Sequence, residues 1–70
     1  MAESAITKRV AARIVQLREQ RGMSQETLAA QARINRVTLA RLELGQHQPK
    51  LETLERIAGV LGVSLVSLLK

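Results

Sequence analysis

The side chains of this chain best suited to specific chemistry are two arginines in the stretch RVTLARLE. Arg36 leads it, and Val37, Ala40, Arg41 and Leu44 recur at helical spacing on one face that carries no acid. An arginine can give two parallel hydrogen bonds to O6 and N7 of guanine, and a valine can touch a thymine methyl. A helix presenting this face could therefore read base edges in a major groove. An ordinary solvated helix face has the same composition, and that alternative stays open at this level. Leu39 and Leu42, with Ile34 just before them, fall on another side and should face a core.

Other chemistry is poorly served. With no cysteine and a single histidine, His47, there is no zinc set, and a nucleophile–base pair would have to be built from an exposed loop. The expectation is no enzyme, no catalytic residue, no metal and no cofactor.

Local signals in residues 24–45 place the two arginines. Ser24 is a good N-cap, and residues 25–32 contain no Gly or Pro, so a short helix follows. Arg33 and Ile34 carry a turn. Asn35 can cap a second helix from Arg36 to Glu43 or Leu44, and Gly45 can end it in the left-handed conformation. The polar segment after it, residues 46–50, holds the only proline, and Gln46, Gln48 and Lys50 there could hydrogen-bond phosphates flanking a groove. Ser24, Gln25 and Thr38 are further candidates for phosphate contact, Gln25 because it stands where the N–H groups of a helix N-terminus point.

The arrangement resembles the helix-turn-helix domain of the Cro and phage-repressor family, the XRE type. The pieces that carry the likeness are VAARIVQLREQRGMSQETLA, INRVTLARLELG and PKLETLERIAGVLGVSL, in the family's order and nearly at its spacing. The resemblance implies an all-α, five-helix, lambda-repressor-like fold whose motif spans residues 24–45. Its second motif helix would be the recognition helix, with base contacts from Arg36, Val37, Ala40 and Arg41, while the first crosses the DNA backbone. It also implies that Arg18 pairs with Glu43 and ties the first helix to the third. Two residues depart from the pattern. Arg33 stands where Gly is common in the turn, so either a non-Gly residue takes a positive φ at a cost of about 1 kcal/mol or the turn is reshaped. Lys50 stands where a Ser or Thr cap is usual, and a lysine cannot accept the orphan N–H bonds of the fourth helix.

Composition fits this outline. Seventy residues without cysteine make one small domain, 1–70, with no disulfide framework, compatible with a reducing cytoplasm. The family resemblance points the same way, to a bacterial or phage-encoded cytoplasmic protein. Residues 57–69 form the longest run free of charge, too short for the roughly 20 residues of a membrane span. No secretory signal is visible. Five cations against two acids in residues 1–23 leave a net +3, four against one in residues 31–50 leave another +3, and the last twenty residues are neutral. A polyanion approached from the first fifty residues suits that distribution.

The first helix is expected to start after Ser4 or Thr7 and run to about Arg21, burying Ile6, Val10, Ile14 and Leu17. Its Lys8, Arg9 and Arg13 read as a solvated face, and it lacks the aromatic, leucine-rich side of a membrane-surface helix. The fourth helix begins near Leu51 with Leu51, Leu54, Ile57, Ala58 and Leu61 buried. Residues 63–70 read as a fifth helix capped by Ser64 and apolar nearly all round, which packing on one side cannot satisfy. Leu61, Val63 and Leu68 can close the domain. Leu65, Val66 and Leu69, with Val60, are left for a two-fold dimer that would set two recognition helices about 34 Å apart on a pseudo-palindromic operator.

The expected function is a sequence-specific regulator of transcription acting on double-stranded DNA as a homodimer, a repressor by the family's habit. An antitoxin, whose main partner is a toxin protein, is the alternative from another class; a helical scaffold with no nucleic-acid role is the bland one.

Overall fold

The computed structural model describes residues 5–70, and Ser4, one of the two expected starting points of the first helix, lies outside them. Five helices follow one another: α1 Ala5–Gln20, α2 Gln25–Ala32, α3 Arg36–Glu43, α4 Leu51–Leu61 and α5 Leu65–Leu69. Among the described residues there is no strand. The connections between helices are short, and each helix presents one stripe to a shared core.

Caps explain the boundaries. Ser24 Oγ accepts the Thr27 N–H at 3.0 Å, Asn35 Oδ1 accepts the Val37 N–H at 2.7 Å, and Ser64 Oγ accepts the Ser67 N–H at 3.1 Å. Each satisfies an orphan donor at a helix start. Lys50 precedes α4 with no side-chain cap bond, as its chemistry requires, and Glu52 in the first turn complements the dipole instead. Arg33 takes φ 60 and ψ 44 between α2 and α3. The turn that family members commonly make with glycine is therefore kept here, with the strain of a left-handed arginine. The Ile34 N–H reaches back to the Ala29 carbonyl at 2.9 Å and closes it.

The core is aliphatic throughout. Ile14, Leu28, Leu39, Ile57, Leu61 and Leu68 are its largest fully buried side chains, one or more from each helix. α2 packs on α3 and α4, while α1 packs on α3 and α5. Two residues expected in the core are outside it. Ile6 is 55% exposed, and Thr7 is buried in its place. The stripe Thr7, Val10, Ala11, Ile14, Leu17 runs a step further round α1 than the spacing of large aliphatics suggests. Leu51, the first residue of α4, is also exposed, because the core begins one turn later at Leu54.

The last helix is shorter than expected, five residues rather than the whole of 63–70, with Val63 and Ser64 in the connection that leads to it. Leu68 is fully buried, and Val60, Val63 and Leu65 are partly buried against the core. Val66 and Leu69 remain exposed. Leu69 shares a cleft of about 210 Å³ with Ile6, Leu54 and Pro49, so the misplaced Ile6 extends the apolar surface at this end.

Candidate nucleic-acid interface

The outer face of α3 comes from a helix buried on one side by Leu39 and Leu42. Arg36 and Arg41 are exposed, Val37 is half exposed and Ala40 partly so, with Leu44 exposed just beyond the last turn. The four residues expected to read bases therefore share one open surface. Thr38 is half-buried beside it. Eight residues make a helix about 12 Å long, close to the width of a major groove.

The only acid of α3 is withdrawn from that surface. Arg18 Nε donates to Glu43 Oε2 at 2.7 Å and Arg18 Nη2 donates to Glu43 Oε1 at 3.1 Å, a two-point contact between α1 and the end of α3. The side chain of Glu43 is 4% exposed. Arg18 Nη1 also donates to the Met23 carbonyl at 2.8 Å, in the connection leading to α2. The hydrogen bond to Glu43 holds the guanidinium above its ordinary pKa, against the opposing effect of burial, so Arg18 stays charged at any working pH. The pair expected from the family pattern is present, and with Glu43 neutralised the exposed face of α3 presents cations alone.

A third side chain joins this pair without any warning from the sequence. Gln25 Nε2 donates to Glu43 Oε1 at 2.8 Å, so α1, α2 and α3 meet at one carboxylate. Eighteen residues separate Gln25 from Glu43, and neither periodicity nor a local motif links them. Among the described residues Gln25 makes no other side-chain hydrogen bond, which leaves its second amide N–H for an outside acceptor. Ser24, also a candidate for phosphate contact, is engaged as the cap of α2 and donates its hydroxyl to Thr27 Oγ1 at 3.0 Å. A phosphate contact from Ser24 would have to use its backbone or displace that bond.

Just past Glu43, Gly45 takes φ 74 and the Gln46 N–H reaches the Arg41 carbonyl at 3.0 Å. The closed turn delivers the polar loop, where Gln46, Gln48 and Lys50 are all exposed. Gln25, held by Glu43, and this loop thus gather candidate phosphate contacts about the C-terminal end of α3, while Thr38 lies nearer its start. Arg21, counted in the sequence only as charge, donates from Nε to the Leu61 carbonyl at 2.6 Å and closes the C-terminus of α4. Among the described residues no group of His, Asp or Glu could hold a metal, and no helix is long and apolar enough to cross a membrane.

Comparison with known proteins gives a consistent answer. The helix-turn-helix family model HTH_3 matches residues 14–68. An immunity repressor protein of Bacillus phage phi105 is 39% identical over 56 residues, covering 80% of this chain and 39% of that protein. The chain thus spans well under half the length of that relative. A hypothetical transcription factor from Neisseria superposes with a TM-score of 0.91 at 28% identity, over 100% of this chain and 80% of that one. The restriction-modification controller protein C.AhdI from Aeromonas hydrophila superposes with a TM-score of 0.88 at 29% identity, over 93% of this chain and 98% of that one.

Proposed function

Because the chain belongs to the HTH_3 helix-turn-helix family of DNA-binding transcription regulators, which are not enzymes, we propose that it represses transcription as a homodimer on a pseudo-palindromic operator. The observation that carries this reading is the acid-free outer face of α3, held in place by the carboxylate of Glu43 where three helices meet. Arg36 and Arg41 donate to guanine edges, and Val37 and Ala40 make the apolar contacts. Gln25, Thr38, Gln46, Gln48 and Lys50 grip the phosphates on either side, with Ser24 contributing through the start of α2. The protein acts in the cytoplasm, where such a site would be found.

Dimerisation uses the apolar residues of α5, with Arg9 and Arg13 of α1 beside them. Val66 is 62% exposed and Leu69 lies open beside Ile6, an apolar surface that a monomer gains by covering. Leu65 and Val60 are already partly taken up by the chain's own core, so they form the floor of this interface and Val66 its centre. The antitoxin alternative is not favoured, since the relatives named above include a repressor and a transcription factor.

The experiment is selection of bound duplexes from a random library by the full chain. Enrichment of an inverted repeat whose half-sites lie about one helical turn apart, roughly 10 base pairs, supports the reading. Recovery of sequences no different from the starting library contradicts it.

A further inference from the structure

Three cations lie in the first nine residues of α1, and they go to different places. Arg9 Nη1 donates to the Lys70 carbonyl at 3.2 Å, and Arg13 Nη2 lies 3.5 Å from Ser67 Oγ, so both turn toward α5. Lys8 turns toward α3. A methyl group built on Gly45 would meet Lys8 Cγ at 3.4 Å and Lys8 Cα at 3.7 Å, which puts the stem of Lys8 directly across the turn that ends α3. Gly45 is buried there while Lys8 itself is exposed. Among the described residues Lys8 has no ion-pair partner.

This placement is unfavourable for the helix Lys8 belongs to. A cation in the first turns of α1 opposes that helix's dipole, whereas the same charge beside the last turn of α3 complements it. The stem of Lys8 crosses the junction between the last turn of α3 and the loop of Gln46, Gln48 and Lys50, so its ammonium starts from beside that junction. A helix of about 12 Å laid in a groove about 12 Å wide brings its exit turn to the groove wall, where the phosphates run. The lysine stem is long and flexible, and its ammonium acts as a point charge that needs no fixed geometry to meet a phosphate.

We infer that Lys8 is a phosphate-contacting residue, supplied by α1 to the strand that borders the C-terminal end of α3. The inference rests on the DNA-binding reading above. It adds a contact from outside the helix-turn-helix motif, from a residue that sequence alone assigns to a solvated face. Being sequence-independent, the contact strengthens binding to all duplexes alike.

The test is Lys8→Met in the full chain, which keeps the packing over Gly45 and removes the charge, with Lys8→Arg as the charge-preserving control. Affinity is measured against salt concentration on a selected operator and on a random duplex, and thermal unfolding is followed in parallel. For Lys8→Met the slope of log K against log salt should become shallower by about 0.9 for each lysine removed. Affinity should fall several-fold on both duplexes, the melting temperature should stay put, and Lys8→Arg should restore the slope. An unchanged slope overturns the inference while leaving the DNA-binding reading intact, and a lowered melting temperature with that unchanged slope makes Lys8 a helix cap only. A wild type with no salt-sensitive affinity for any duplex overturns the DNA-binding reading itself and this inference with it.

Discussion

Arg18 and Glu43 meet through two hydrogen bonds, 2.7 and 3.1 Å long, across the junction of α1 and α3, and both side chains are largely removed from solvent. Taking away one member of such a pair strands the other charge, at a cost of about 3 kcal/mol or more. A chain of this length has only about 4 to 10 kcal/mol of stability in total. Arg18→Ala should therefore shift urea unfolding to much lower denaturant, whereas Arg18→Met combined with Glu43→Leu should recover most of the loss. A single variant as stable as wild type would mean that the pair does not anchor α3.

Arg33 holds a left-handed conformation at φ 60, and Lys50 stands at an N-cap without a cap bond. Arg33→Gly should stabilise by up to about 1 kcal/mol, since the relief of side-chain strain exceeds the entropy glycine adds to the unfolded chain. Lys50→Ser should add about 1 kcal/mol through a new side-chain bond to the start of α4. Calorimetry of the two variants checks both. A melting temperature lowered by Arg33→Gly would show that the turn carries no strain.

The helix boundaries and most of the core are legible in the sequence because they rest on short-range chemistry. Ser24, Asn35 and Ser64 cap the helices they precede, and Val10, Ile14 and Leu17 in α1, like Leu54, Ile57, Ala58 and Leu61 in α4, recur with helical period. The errors fall at helix ends. Ile6 and Leu51 continue the apolar pattern, but in the first turn of α1 it is Thr7 that faces inward, and in α4 the buried stripe begins at Leu54. The Gln25–Glu43 bond and the Lys8–Gly45 contact join residues far apart in the chain, and only the packing of α1, α2 and α3 brings them together. The Arg18–Glu43 pair is equally distant, and it is legible through the family pattern alone.

Gln25 is bound to Glu43 before any DNA arrives, so its amide is oriented in advance. Gln25→Ala should weaken binding to operator and random duplex by the same factor, of order 1 kcal/mol for one neutral hydrogen bond. Filter-binding or fluorescence titration of both duplexes reads it. A loss confined to the operator would make Gln25 a base-reading residue instead.

Val66 is the most exposed apolar residue of α5, and a charge there should disrupt a two-fold pairing without touching the core. Sedimentation equilibrium of wild type and Val66→Glu, with circular dichroism, gives the outcome. The variant should be monomeric, fully helical and poor at holding a two-half-site operator. A wild type that stays monomeric at tens of micromolar, roughly the range of a small transient interface, would remove the dimer from the account.

If the exposed face of α3 reads bases, Arg36 and Arg41 are its donors. The most direct measurement compares Arg36→Ala and Arg41→Ala with wild type on the selected operator and on variants carrying each single base-pair change. Each substitution should cost about 1 to 3 kcal/mol on the operator and abolish the preference at one base pair of each half-site, leaving random-duplex affinity less affected. Equal losses on operator and random DNA, with every base preference retained, would make both arginines phosphate contacts and contradict base reading by this face.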